Sequence, residues 1–180
     1  MTKKETIKDG LVEEFYDNGH LKLRGNYKDW EPDGLYEMFY EDGVIHFRET
    51  YKNGELDGLW EEFYKNGQVE EKRNFKDGVR HGLREHFYRN GNLVERINYK
   101  DGKRDGLYEG YFSEKTGQLR FRGNYKNGKH DGLWEYYHEN GQLESKQNYK
   151  NGERDGLTER FDEEGNLTET EVYKDGVLQE

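Results

Sequence analysis

Seven glutamates, Glu13, Glu37, Glu61, Glu85, Glu109, Glu135 and Glu159, follow one another at a step of 24 residues, with one step of 26. A row of partly buried carboxylates can bind cations or carry raised pKa values suited to proton transfer. A catalytic pair would be unique in the chain, whereas this feature occurs seven times. The row is therefore expected to belong to the frame, each carboxylate capping a turn amide or accepting from a neighbouring tyrosine hydroxyl.

Other reactive patterns fail on inspection. Gly123 to Lys129 fits G-x-x-x-x-G-K, but His130 stands where a phosphate-binding loop needs Ser or Thr, and the segment reads as strand and turn. The six histidines, His81 and His86 among them, lack ligand spacing on one face, and the chain has no cysteine to supply a thiolate. No metal, no cofactor and no enzymatic activity are expected. The recurring Lys28, Lys52, Lys76, Lys100, Lys126, Lys150 and Lys174 could meet phosphates, but they are interleaved with acids on a chain of net charge -10. Repulsion then disfavours nucleic acid and anionic membranes as partners.

What remains is an aromatic stripe, expected to be exposed: Tyr36, Trp60, Tyr108 and Trp134, flanked by Tyr40, Tyr64 and Tyr88. Aromatics dominate protein interfaces, so these seven are the candidate partner-binding residues. The alternative is that cations on the opposite strand satisfy the rings within the sheet. An acidic surface suits a basic protein partner.

The element that must hold these residues is the repeat itself. Gly10, Gly34, Gly58, Gly82, Gly106, Gly132 and Gly156 each open a unit and are each followed by Leu. From Leu11 to Tyr16 and from His20 to Tyr27 the pattern alternates with period two, around Asp17-Asn18-Gly19. This predicts a hairpin with a three-residue loop, a type I turn closed by a left-handed Gly. The register read from that loop places residue 12 opposite 24. The equivalent pairs are Tyr36/Arg48, Trp60/Lys72, Tyr108/Arg122 and Trp134/Lys146, aromatics facing cations. One face, with Leu11, Phe15, Leu21 and Tyr27 and their equivalents, is expected to be the invariant core ladder. The other carries the variable residues, where repeat proteins usually bind.

The fold expected is all-β: fourteen strands in seven tandem hairpins, an elongated single-layer antiparallel meander of roughly 65 Å at ~4.8 Å per strand. Residues 1–8 form a polar lead whose Ile7 could add a short strand, and 9–180 form one domain. Leu, Ile, Val and Phe total 34, under a fifth of the chain, while 27 aromatics fall in register with the repeat. The apolar area must therefore come from rings, each able to bury roughly 150–250 Å². No run approaches the ~20 apolar residues of a membrane span, and a cytoplasmic location is expected.

The string G-L-W-E-Y-Y-x-x-N-G-Q-L, recurring at 24 residues and followed by N-Y-K-N-G, resembles the MORN repeat family in its bacterial variant form. The standard Tyr-x-Gly segment is replaced by a mixed charged run such as Glu144 to Tyr149. The resemblance implies a hairpin-built sheet used as a scaffold or binding surface, with no catalytic residues. Bacterial proteins similar to this are often assigned as antitoxins, and standard members are linked to membranes and phosphoinositide enzymes. The expected function is non-enzymatic protein binding, as in an antitoxin-like neutraliser. The alternatives are a structural scaffold self-associating through sheet edges and a peripheral membrane module.

Overall fold

The computed structural model describes residues 9–180, so the polar lead and the strand expected at Ile7 lie outside the described residues. The described residues form seventeen strands and no helix, an all-β antiparallel meander. They fall into two compact units, one ending at Gly82 and one beginning at Leu83. The first contains β1 (Gly10–Phe15), β2 (Leu21–Lys28), β3 (Glu31–Phe39), β4 (Ile45–Lys52), β5 (Glu55–Leu56), β6 (Gly58–Phe63), β7 (Val69–Lys76) and β8 (Val79–Arg80). The second runs through β9 (Gly82–Phe87), β10 (Leu93–Lys100), β11 (Lys103–Tyr111), β12 (Leu119–Lys126), β13 (Lys129–Tyr137), β14 (Leu143–Lys150), β15 (Glu153–Phe161), β16 (Leu167–Lys174) and β17 (Val177–Leu178). The count exceeds fourteen because β5, β8 and β17 are two-residue pieces.

Two kinds of turn build each unit. Inside a hairpin, Gly19 N–H donates to the Tyr16 carbonyl at 2.9 Å and Tyr16 N–H to the His20 carbonyl at 2.8 Å. With Gly19 at φ 85, this is the three-residue loop read from the sequence. In the fifth copy the loop lengthens to 113–117, with Phe112 N–H donating to the Gln118 carbonyl at 2.8 Å, and the flanking strands keep the register of the other hairpins. Between hairpins the turn has two residues of positive φ, as at Asn53 (φ 48) and Gly54 (φ 79), a type I′ turn whose twist matches the flanking strands. The row of opening glycines has its own cause. Gly58 sits at φ 122, open only to a residue without Cβ, where the strand bends past its partner.

The pairing corrects the register expected from the loop. Phe15 faces Leu21, but a bulge next to that pair puts Glu14 opposite Leu23, Glu13 opposite Arg24 and Val12 opposite Gly25. The same shift recurs in every hairpin whose register is given, so Tyr36 faces Glu49, Trp60 faces Arg73, Tyr108 faces Gly123 and Trp134 faces Gln147. The cations expected opposite these rings stand instead opposite the invariant glutamates: Glu37/Arg48, Glu61/Lys72, Glu109/Arg122 and Glu135/Lys146. Because a one-residue slip moves a side chain to the other face, Tyr27 also leaves the leucine face and pairs with Gly10.

Burial corrects the expected core as well. The leucine row is not a core ladder: Leu11 is 52% exposed, and Leu35, Leu59, Leu133 and Leu157 are all exposed. Much of the burial lies on the opposite, variable face, at Ile97, Trp134, Thr158, Glu71 and Ser145. On the leucine face the most buried groups are Phe63 and the carboxylate residues Glu37, Glu61 and Glu109.

Candidate functional site

The glutamate row forms ion pairs, a role different from the turn cap or tyrosine acceptor expected of it, although Glu109 also accepts from the Tyr111 hydroxyl at 3.1 Å. Glu37 stands between Arg48 of its own hairpin and Arg24 of the preceding strand, and Glu109 and Glu135 repeat that placement, whereas Glu159 faces Thr170 in its own hairpin. Arg24 Nε donates to Glu37 Oε2 at 3.1 Å and Arg48 Nε to Glu37 Oε1 at 3.0 Å, while Arg48 reaches on to Glu61 at 3.3 Å. In the second unit Arg96 bonds Glu109 and Arg122 bonds Glu135, each at 2.5 Å. Burial alone would raise the Glu37 carboxyl, but the two arginine hydrogen bonds outweigh it and hold it below the ordinary carboxylate range. The row is thus an alternating charge ladder in each unit, occupied within itself.

The opposite face differs between the units. In the first, Glu49 on β4 accepts from the Tyr51 hydroxyl and from Trp60 Nε1, each at 2.7 Å. Glu49 has no lysine or arginine in ion-pair contact among the described residues. Tyr36 packs edge-on against Tyr51 with centroids 6.1 Å apart, and the Arg73 guanidinium lies 4.3 Å from the Trp60 ring centre while chelating Glu71. Burial and then the Glu49 hydrogen bond push the Tyr51 hydroxyl far above its ordinary value, so it remains a donor. The result is a half-buried carboxylate with neutral donors behind it and rings on its sides.

In the second unit the same face is a cluster of rings centred on Trp134. Its ring lies 4.1 Å from His130, 5.4 Å from Tyr125 and 6.3 Å from each of Phe121, Tyr136 and Tyr149, and its indole N–H donates to the Asn124 carbonyl at 3.1 Å. Close approach is possible because position 123 is glycine: a Cβ there would stand 2.2 Å from the indole. Burial raises the Tyr136 hydroxyl to about 12.

The seven residues singled out from the sequence are accordingly not one exposed stripe. Tyr36, Trp60 and Tyr108 are half-buried on the variable face, and Tyr108 donates to Glu95 at 2.6 Å. Trp134, expected to be exposed, is 2% exposed because the surrounding rings and Gly123 enclose it. Tyr40, Tyr64 and Tyr88 are half-buried at the mouths of hairpin loops, each N–H closing the loop. The Tyr40 hydroxyl donates to the Phe63 carbonyl at 3.3 Å, which ties one hairpin to the next. Glu49 and Arg104 were missed; with the bulge placed, their positions opposite or beside aromatic residues are readable from the repeat.

Fold and site together define a class of chain, a tandem hairpin repeat with a recurring ion-paired face and a variable aromatic one. The model of the MORN repeat variant matches residues 8–29, 32–53, 56–77, 80–101, 131–151 and 154–175, well over half of the chain. The chain belongs to the MORN repeat variant family. Members of this kind are typically binding or scaffolding modules and are generally not enzymes. The stretch between the fourth and fifth matched segments contains the lengthened 113–117 loop. No curated protein matches the chain. No helix among the described residues is long and apolar enough to cross a membrane.

Proposed function

We propose that the chain is a non-enzymatic binding protein that takes a basic protein partner on its variable face, with Tyr36, Trp60 and Glu49 as the centre of contact. The observation that carries this reading is Glu49, a carboxylate held by two neutral donors with no cation of its own among the described residues. A lysine or arginine entering between Tyr36 and Trp60 would gain a charge-assisted hydrogen bond and ring contacts together. Trp60 is also the kind of residue that dominates interface energetics. The net charge of -10 supports faster encounter with a basic partner at low salt. Cytoplasmic location and an antitoxin-like, neutralising role are finer parts of the proposal, and the second of these rests on the resemblance to bacterial variant proteins alone.

The test is capture of partners from the host lysate at low and high salt by the wild-type chain and by Glu49→Gln and Trp60→Ala variants. A basic protein whose affinity falls about thirtyfold in each variant, the size of a ~2 kcal/mol contact, is the expected result. Equal affinity for all three chains would end the proposal. A second reading, self-association through strand edges, is favoured by the exposed Leu167, Val172, Val177 and Leu178 on β16 and β17. Sedimentation mass that rises with concentration would support it, and a constant monomer mass would remove it.

A further inference from the structure

At the turn edge of the second unit, a cavity of about 510 Å³ opens between the turns at 127–128 and 151–152. Its walls include Arg104 at the start of β11, Tyr125 on β12, and Lys129 and His130 at the start of β13, with Asn151 and Glu153 at the next turn. We propose that this notch binds the carboxylate of an aspartate or glutamate side chain on a bound polypeptide. It shares no residue with the Glu49 centre, so it stands whether or not that reading holds.

Arg104 has hydroxyl and ring partners but no carboxylate one among the described residues. The Arg104 guanidinium lies 5.3 Å from the Tyr125 ring centre and 5.7 Å from that of Tyr108, and one of its N–H groups donates to the Tyr125 oxygen at 3.2 Å. Neither Arg104 nor Lys129 is ion-paired with a carboxylate among the described residues, in contrast to the ladder arginines of the same unit. A guanidinium has five donors in a planar fork that matches a carboxylate, and the ring contacts hold that fork in place. Lys129 packs its stem beside Gly152, which has no side chain to push it away.

Arg104 can only donate, so the Tyr125 oxygen accepts from it, and the same hydroxyl lies 2.9 Å from His130 Nε2. Burial first, and the positive charge of Arg104 second, favour the neutral ring at His130. The notch therefore offers two fixed charges and leaves the histidine uncharged.

Glu153 decides what kind of anion fits. One carboxylate at the rim offsets part of the charge of Arg104 and Lys129, which leaves room for a monoanion and opposes a phosphate dianion. The acidic chain as a whole opposes extended polyanions. The notch is not part of the repeat frame either. In the first unit the residues equivalent to Arg104 and His130 are Pro32, Leu56 and Arg80, and those equivalent to Lys129 are Glu31, Glu55 and Val79, so no copy there has a lysine in the place of Lys129.

The experiment is a titration of the ¹⁵N-labelled full chain, followed by amide shifts, with N-acetylglutamate amide, inorganic phosphate and N-acetyllysine amide as separate probes. The expected result is saturable shifts at Gly128, His130 and Gly152 with the glutamate probe, and about tenfold weaker binding in both Arg104→Gln and Lys129→Gln, each losing one charged hydrogen bond. Lys129 is exposed, so its variant keeps the fold even where loss of Arg104 disturbs the rings. The proposal is overturned by no saturable shift, by phosphate or lysine binding as tightly as glutamate, or by unchanged affinity in both variants.

Discussion

The two units are built from one repeat, yet the centres of their variable faces differ in chemistry, even though the second also has a polar group there in Glu95 with Arg84 and Tyr108. The unit ending at Gly82 places polar groups there, Glu49, Glu71 and Arg73 around Trp60, and satisfies them by hydrogen bonds. The unit beginning at Leu83 places Ile97, Phe121 and Trp134 there and packs rings against them or against glycine. The leucine face is alike in both, with the same ladder of glutamates and cations. The frame thus depends on an ion-paired row and turn geometry, and it tolerates either chemistry on its other side. That division is what lets one unit offer a carboxylate centre and the other a cationic notch.

The largest effect expected from this comparison is at the glycines that rings lie upon. In Gly123→Ala the new Cβ would stand 2.2 Å from the Trp134 indole, which is enclosed and cannot swing away. Overpacking of this kind should destabilise by about 3 kcal/mol. Gly25→Ala brings a Cβ to 2.3 Å from Tyr36, but that ring is only half-buried and can move outward, so about 1 kcal/mol is expected. Urea denaturation of the two variants measures both. Equal losses would mean that the units are packed alike, contrary to the contrast drawn above.

The ladder should behave in the opposite manner, with no difference between units. Glu37→Gln leaves Arg24 and Arg48 short of a charge and Glu109→Gln leaves Arg96, and each should cost about 2 kcal/mol, because the arginines are partly open to water. The pH dependence has a definite sign. The folded-state pKa of Glu37 is depressed, so its contribution is present above the unfolded value and is lost as pH falls through the folded one. Acid titration of stability should therefore be shallower in Glu37→Gln below about pH 4, where the wild-type carboxylate takes up its proton. An unchanged acid limb would remove Glu37 as a contributor.

Much of the frame was legible in the sequence because its causes are local. The loop at Asp17-Asn18-Gly19 and the repeated opening glycines encode dihedral angles, and the chain adopts them. The register was not, because a bulge beside Phe15 and Leu21 displaces everything beyond it by one residue. One signal was present: a glutamate falls opposite Arg or Lys in six of the seven copies once 13 is aligned with 24, a better match than the aromatic–cation pairing. Burial was less legible still. Trp60 and Trp134 occupy the same repeat position, and only the neighbours brought by pairing, Glu49 for one and Gly123 for the other, decide that the first is half-buried and the second enclosed.

The smallest effect expected is at the turn that departs from the rest. Trp30 takes φ 73 where every other inter-hairpin turn has glycine, and its ring is 54% exposed. A bulky residue in the left-handed region is strained by roughly 1–3 kcal/mol, and an exposed ring recovers only part of that by burial. Trp30→Gly should consequently raise stability by about 1 kcal/mol, read as a higher urea midpoint at unchanged slope. The equivalent change in reverse, Gly128→Trp, should lower it by a similar amount, since that turn has the same geometry. A loss of stability in Trp30→Gly would show that the indole makes contacts worth more than the strain, and that this first turn, unlike those of the second unit, is held by its side chain.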